Sequence, residues 1–188
     1  MAKLSIISSF VALLAIGASA SATAAPAPAP VDGLIPGAGF PSLESLGLTR
    51  KDLEAMGRVA IPESYNAHRI RSALLSGKRA SAATIPTCED NYTLPRAGAQ
   101  ACLNYLSALG SKSCVVSGTF VQQMCTDNGA SIMGANIKNL ASVASSCSDV
   151  AIAAQWIYDN CGLDATDMNA GAHFAHGNGD LLISIVPA

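Results

Sequence analysis

The sequence predicts an α+β fold stapled by disulfides, in which a four-stranded antiparallel sheet carries two helices on one face in the order β-α-β-β-α-β. Three observations lead to this prediction. Two stretches have apolar residues at helical spacing, four short apolar stretches are bounded by turn residues, and all six cysteines lie in the carboxyl-terminal part of the 188-residue chain. Such an alternation of helices and strands closes into a single two-layer domain.

The first helix is predicted between Thr93, a candidate amino-terminal cap, and Gly110. Pro95 lies near its first turn, where proline costs no helical hydrogen bond. Its apolar positions recur every three or four residues: Ala99, Cys102, Tyr105 or Leu106, and Leu109. One face of this helix is therefore expected to be buried.

The second helix has the more regular pattern. Its apolar positions alternate gaps of four and three residues: Val143, Cys147, Val150, Ala154, Ile157 and Cys161. If Cys147 and Cys161 share this helix, the distance between them is about 21 Å, which excludes a disulfide between the two. We therefore expect them to tie the helix to two other elements.

Four stretches are predicted to be strands. Residues 82–88 are short enough for an edge strand, and the stretches "SCVVSGTFVQQMC" and "GASIMGANI" form a predicted pair joined near Thr126 to Gly129. After a turn at Asn178-Gly179, the apolar run from Leu181 to Val186 suits a buried strand.

The amino terminus predicts export. Lys3 precedes an uncharged apolar run over residues 4–16 and the small residues Ala18-Ser19-Ala20, an order typical of a signal peptide, which we place at residues 1–20. This run is shorter than a membrane-spanning helix, and no later stretch is long and apolar enough to span a bilayer. We therefore expect a secreted, extracellular protein without stable membrane insertion.

Residues 21–79 are predicted to be a largely flexible pro-segment that ends at Lys78-Arg79. Small residues follow this pair, and cysteines occur only after it, whereas a chance dibasic pair in a solvated loop is the alternative. Within the segment, Thr49 and Asp52 resemble a weak capping pair of a short helix. Cleavage would leave residues 80–188, or 109 residues (188 minus 79), the size of one small domain.

The cysteines predict three disulfides in this mature domain, because six cysteines in a small secreted domain are typical of a disulfide framework. None of them has the C-x-x-C spacing of zinc or redox sites. The sequence leaves their pairing open. The six residues are Cys88, Cys102, Cys114, Cys125, Cys147 and Cys161.

The charge of the mature domain excludes some partners. From Ala80 onward there are three basic and eight acidic residues, and three minus eight gives a net charge of −5. Without a basic patch to neutralise phosphates, binding to nucleic acid is not expected, nor is electrostatic docking on anionic membranes. We expect a monomer.

The stretch "HFAHGNGD" holds the sharpest candidates for chemistry, since His173, His176 and Asp180 could ligate a metal. Alternatively, one histidine could act as an acid-base group beside Asp164 or Asp167. The glycines in this stretch make a helix doubtful, so a solvent-facing loop is favoured over either site. We expect no metal and no cofactor.

Other signals are weaker. No G-x-S-x-G elbow is present, and an even number of cysteines leaves no free thiol for catalysis. Asn91-Tyr92-Thr93 is an N-glycosylation sequon. Trp156, the single tryptophan, is expected to cover the edge of the core, with a binding anchor as the alternative.

The stretch "ACLNYLSALGSKSCVVSG…QMCTDNGASIMGANI…SSCSDVAIAAQWIYDNC…GNGDLLISI" resembles small secreted fungal cysteine-rich proteins of the effector type. The predicted element order is ferredoxin-like, and it also resembles the killer-toxin-like α/β sandwich of fungal killer toxins and plant-pathogen effectors. This resemblance covers roughly Cys88 to Ile185 and rests on spacing and small residues.

The resemblance implies a non-enzymatic protein that acts outside the cell or at a host interface and binds a host or competitor protein or a surface glycan. It supplies no catalytic residues. Two alternatives remain: a small secreted hydrolase or metal-dependent enzyme that uses His173 and His176, and a membrane-active protein, which the net negative charge disfavours.

Overall fold

The computed structural model describes residues 33–63, 65, 86–118 and 121–188. The predicted signal peptide and the predicted cleavage site at Lys78-Arg79 lie outside these residues. The amino-terminal segment is residues 33–63 and 65, and the cysteine domain is the described part of residues 86–188.

The described residues form eight strands, three α-helices and a short 3₁₀ turn at Glu44–Leu46. The helices are α1 (Arg50–Ala55), α2 (Arg96–Leu109) and α3 (Cys147–Asn160). The strands are β1 (Ile35–Pro36), β2 (Thr87–Pro95), β3 (Ser113–Ser117), β4 (Val121–Asp127), β5 (Ala130–Asn136), β6 (Ser142–Ser146), β7 (Asp167–Ala175) and β8 (Asn178–Pro187). Within this part of the chain, no helix is both long and apolar enough to span a membrane.

Six strands form one antiparallel sheet in the order β1-β4-β5-β8-β7-β2, and β3 pairs with β6 in a separate antiparallel sheet. Strands β4 and β5 are joined at Asn128-Gly129, where φ is 38° and 79°. Positive φ at both central residues is the backbone conformation that two-residue hairpin turns prefer. The hairpin predicted near Thr126 to Gly129 is therefore present.

Helices α2 and α3 pack against each other and against the large sheet. The core between them is apolar and includes Ile132, Ile183 and Ile185, which are fully buried. Gly171 of β7 lies under the end of α3, where an added Cβ would be 2.7 Å from the Cys161 Sγ. Only a residue without a side chain allows this close approach.

Three disulfides are present, as predicted, and all six cysteines are paired: Cys88 with Cys161, Cys102 with Cys125, and Cys114 with Cys147. They join β2 to the end of α3, α2 to β4, and β3 to the start of α3. Helix α3 is thus tied to two other elements, and its two cysteines are not bonded to each other, as its geometry predicts.

The predicted four-stranded sheet in the order β-α-β-β-α-β is wrong. The order from residue 86 onward is β2-α2-β3-β4-β5-β6-α3-β7-β8, and the large sheet has six strands. The stretch "SCVVSGTFVQQMC" reads as one apolar strand, but the chain turns at Gly118, where φ is 67°. Strand β3 therefore leaves the large sheet and pairs with β6.

Two further strands lie where the apolar pattern predicts none. The composition of strand β7, "DMNAGAHFA", predicts a glycine-rich loop and not a strand. Its residues are small because α3 packs closely over it. Strand β6 contains Val143, which the helical stripe places in the second helix. The Ser146 hydroxyl accepts a hydrogen bond from the Asp149 N–H, so α3 begins at Cys147.

The amino-terminal segment, part of the predicted pro-segment of residues 21–79, is packed on the cysteine domain. Leu34, Leu53 and Tyr65 have exposed fractions of only 2%, 0% and 5%. The predicted capping pair is a full capping box, and hydrogen bonds from Thr49 hold the pKa of Asp52 below its ordinary value. The segment has too few apolar residues for a core of its own, and it shares that of the cysteine domain.

Candidate functional site

The amino-terminal segment begins as an edge strand of the large sheet. Ile35 and Pro36 of β1 pair with Thr126 and Cys125 of β4, and the Gly37 N–H donates to the Met124 carbonyl over 2.8 Å. A Cβ at Gly37 would be 1.9 Å from the Gln123 carbonyl oxygen, so glycine is required here. Strand β4 would be the edge of the sheet without this segment.

Beyond β1 the segment crosses α2 and α3. The Tyr105 hydroxyl of α2 donates to the Pro41 carbonyl over 2.6 Å. Further on, Arg58 forms an ion pair with Asp159 of α3. We call the surface of the cysteine domain that this segment contacts the covered face.

Buried polar side chains distinguish the covered face. Six polar side chains are buried among the described residues, and four of them, all in the cysteine domain, bond to the amino-terminal segment. Buried polar groups are normally hydrogen-bonded, and these four find a partner in the segment. The four residues are Asn104, Asp127, Gln155 and His173.

Asp127 is the charged member of this set. Its side chain is fully buried at the end of β4, and its Oδ1 forms an ion pair with the Arg50 guanidinium of α1. This hydrogen bond holds the pKa of Arg50 above its ordinary value. The second carboxylate oxygen is buried and has no hydrogen-bond partner among the residues that the structure describes. A buried carboxylate is costly unless a cation accompanies it, so this position favours a positively charged occupant.

Asn104 and Gln155 bind the backbone of the segment. The Asn104 Nδ2 donates to the Leu53 carbonyl over 2.6 Å, and the Gln155 Oε1 accepts from the Val59 N–H over 3.0 Å. Neighbouring side chains orient both amides, since Gln100 donates to Asn104 and Gln155 donates to Asp159. These two contacts are made to the main chain of the segment, to a carbonyl within α1 and to an N–H beyond its end, rather than to particular side chains.

His173 lies at the far end of the covered face. Its Nδ1 is 2.7 Å from the Tyr65 hydroxyl oxygen, and that hydroxyl donates its proton to the Phe174 carbonyl over 2.5 Å. The ring of Trp156 stands edge-on to the imidazole, with 4.7 Å between centroids. Trp156 itself is 5% exposed, so in the chain described here it is part of the core.

The predicted histidine and aspartate candidates do not share one site. The rings of His173 and His176 both contact Tyr65, with 4.6 Å and 5.4 Å between centroids, but the His176 Nδ1 is 3.0 Å from the Asp149 Oδ1 at the start of α3. Asp180 lies in β8, where its carbonyl accepts from the Ile137 N–H. Among residues 33–63, 65, 86–118 and 121–188, no three His, Cys, Asp or Glu side chains are placed to hold a metal ion.

The other predicted site residues have separate positions. Asp164 and Asp167 lie at the start of β7, away from the histidines at its end, and backbone N–H groups of Asp167 and Thr166 hold the pKa of Asp164 below its ordinary value. Asn91 is exposed in β2, at the opposite edge of the sheet from β1, rather than in a loop. Its sequon is therefore accessible.

Sequence reasoning missed three of the four polar residues of the covered face, Asn104, Asp127 and Gln155, and singled out His173 for a different role. The available signal was weak: Asn104 and Gln155 are amides inside predicted helices, next to apolar positions that the pattern assigns to the core. Both would ordinarily be placed on a solvated face. Only the position of the amino-terminal segment shows that each helix is buried on two sides.

Raising the pH from about 10 to 12 is expected to destabilise the uncleaved chain. Burial raises the pKa of Tyr105 to about 12 and also raises the pKa of Tyr65. Both tyrosines stay neutral in the folded state at a pH where the unfolded chain has lost their protons. Their contribution to the free energy of unfolding is complete below the pKa of tyrosine in the unfolded chain. It is lost as the pH rises through the pKa in the folded state.

Phenolate absorbance of the uncleaved chain, followed against pH together with chemical unfolding, checks this expectation. Tyr105→Phe should remove one late-titrating group without changing the others. Titration of all four tyrosines together near pH 10, without loss of unfolding free energy, would contradict it.

Comparisons with known proteins give one match. No curated protein and no solved structure matches the chain. A family model described as "Domain of unknown function (DUF8794)" matches residues 79–187, more than half of the chain. The matched range begins at Arg79, the second residue of the predicted cleavage site. The chain belongs to this family of domains of unknown function, DUF8794.

Proposed function

We propose that the chain is a secreted, non-enzymatic binding protein of the effector or toxin type, which acts outside the cell through residues 80–188 after cleavage behind Arg79. The covered face is its binding surface. Until cleavage, the amino-terminal segment occupies that surface and keeps the protein inactive.

The proposal rests on one observation: the buried polar side chains of the covered face have hydrogen-bond partners in the amino-terminal segment. Four buried polar side chains of the cysteine domain bond to a segment that cleavage would separate from it. Such a surface, apolar with a few fixed polar groups, is typical of protein interfaces rather than of a domain interior. Two further observations support export and processing: all described cysteines are paired, and the family match begins beside Lys78-Arg79.

The geometry around the histidines supports a binding role over a hydrolase. In a nucleophilic triad, the serine hydroxyl would face the imidazole. Here the Ser146 hydroxyl instead donates to Asp149 over 2.6 Å, and it caps α3. Within residues 80–188, the ring of Trp156 stands edge-on to His173, with 4.7 Å between centroids.

The test compares the secreted wild-type product with the variant Lys78→Ala/Arg79→Ala. We expect the wild type to begin at Ala80 and to bind saturably to intact target cells or extracellular material. The variant should keep its amino-terminal segment and bind at least about tenfold more weakly. Lys51→Ala, which alters the reversed dibasic pair Arg50-Lys51 at an exposed position, is the matched control and should be processed normally.

Two results would contradict the proposal. One is full binding by a product that retains residues 21–79. The other is turnover of ester, peptide or glycoside substrates that is lost in His176→Ala, which would favour the hydrolase alternative. The N-terminal sequence and the intact mass of each product are measured in the same samples.

A further inference from the structure

We propose that the covered face, once the chain has been cut after Arg79, binds an extended polypeptide segment of the target that carries an arginine, in the place of the amino-terminal segment. This inference rests on the proposed function and names the chemistry of the partner. It follows from three features of the covered face: the edge of β4, the two amides, and the carboxylate of Asp127.

The edge of β4 selects an extended chain. Strand β1 is only two residues long, yet its pairing with β4 continues through the hydrogen bond from Gly37 to Met124. When β1 leaves, β4 presents unpaired backbone groups at the edge of the remaining five-stranded sheet. An edge of this kind accepts an added strand from another chain, since main-chain hydrogen bonds supply the affinity.

The amides extend this main-chain recognition across the helices. Asn104 presents a donor to a carbonyl, and Gln155 presents an acceptor to an N–H. Both are held in place by a second side chain of the domain, so they keep their orientation when the segment is absent. A glycan offers hydroxyl groups but no repeating N–H and C=O pattern, and the observations therefore favour a polypeptide.

Asp127 selects the charge. It lies next to the β1 pairing: an added Cβ at Gly33 would be 3.3 Å from its Oδ1. A cationic side chain can reach the Asp127 carboxylate from a residue just before the strand that pairs with β4. It can also do so from a later residue where the chain folds back, as Arg50 does. Arginine fits better than lysine, because its planar fork can occupy both carboxylate oxygens, and no described residue bonds to the Oδ2. The net charge of −5 for residues 80–188 also favours a cationic partner.

The first experiment uses the full chain, folded with its disulfides and then cut at Lys78-Arg79. A labelled synthetic peptide of residues 33–65 is the probe, and its binding to the cut protein is followed by fluorescence anisotropy with unlabelled peptides as competitors. We expect Arg50→Gln in the peptide to weaken competition at least about tenfold. Arg58→Gln is the matched control, since Arg58 is largely exposed in its ion pair with Asp159, and it should change competition less than about threefold.

The second experiment identifies the partner chemistry without a known target. Random peptides are displayed and selected on the cut protein, and the residues 33–65 peptide is used to elute those that bind the covered face. We expect the eluted sequences to contain arginine, and we expect Asp127→Asn to abolish that enrichment. Near-ultraviolet circular dichroism verifies that the variant is folded, and the Arg50→Gln peptide tests the same contact on an unaltered domain.

Each outcome is decisive. Equal competition by the two arginine variants, or selected peptides that lack arginine or ignore Asp127→Asn, would overturn the inference. Binding of the cut protein to a glycan array, with no enriched peptide, would overturn it but leave the proposed function intact. If the cut protein bound neither target material nor any array, the proposed function itself would fail.

Discussion

Replacing Cys88 and Cys161 together with alanine is expected to lower the free energy of unfolding by about 4 kcal/mol. This disulfide closes the longest loop of the three, with a sequence separation of 73 residues, and the cost of leaving the unfolded chain unrestrained grows with loop length. It also joins the outer strand β2 to the end of α3. Guanidinium unfolding, followed by the fluorescence of the single tryptophan, Trp156, measures the change.

The disulfide Cys102–Cys125 provides the comparison. Its sequence separation is 23 residues, for which the same argument gives a loss of about 3 kcal/mol of unfolding free energy. Unlike Cys88, both of its cysteines are fully buried, between α2 and β4. If chain entropy dominates, the Cys88–Cys161 variant is the less stable of the two. If removal of Cys88–Cys161 lowered the free energy of unfolding by less than about 1 kcal/mol, β2 would contribute little to the part of the chain that unfolds cooperatively.

Replacing Gly98 with alanine is expected to destabilise the cysteine domain by about 3 kcal/mol. An added Cβ would be 2.1 Å from the Asp127 carbonyl oxygen and 3.0 Å from that of Asn128. Both contacts are with backbone, which cannot rotate away, so the first turn of α2 would have to separate from the β4-β5 hairpin. Since alanine favours a helix over glycine, propensity alone predicts the opposite sign, a gain of up to about 1 kcal/mol.

The same unfolding measurement on Gly179→Ala is the control, because that glycine has no atom within 4 Å of an added Cβ and no positive φ. It should change the free energy of unfolding by less than about 0.5 kcal/mol. A Gly98→Ala protein as stable as the wild type would mean that α2 does not pack on this hairpin as described.

Local pattern was sufficient for some of the fold. The alternating gaps from Cys147 to Ile157 predict α3, since a helix buried along one stripe must repeat every three or four residues. Asn128-Gly129 predicts a hairpin, because few other pairs accept two positive φ values. The count of cysteines predicts three disulfides, although their pairing depends on which elements become neighbours.

Other elements do not follow from local pattern. Strand β7 lacks the apolar alternation of a strand, because Gly171 has to admit the Cys161 sulfur and His173 has to face the amino-terminal segment. The candidate metal ligands His173 and His176 are three residues apart in sequence, yet their Nδ1 atoms have different hydrogen-bond partners, Tyr65 and Asp149. Spacing along the chain could not distinguish these outcomes.

The sequence by itself determined that this chain carries an export signal pattern, a dibasic pair ahead of its cysteines, an amphipathic second helix and an even set of cysteines. These features depend only on neighbours in the chain. The tertiary structure decided which cysteines pair, how many strands join the sheet, and that residues 33–63 and 65 complete the core. The reason is physical: burial of Asn104, Asp127 and Gln155 depends on a segment about 50 or more residues away in sequence, and no local pattern records a contact over that range.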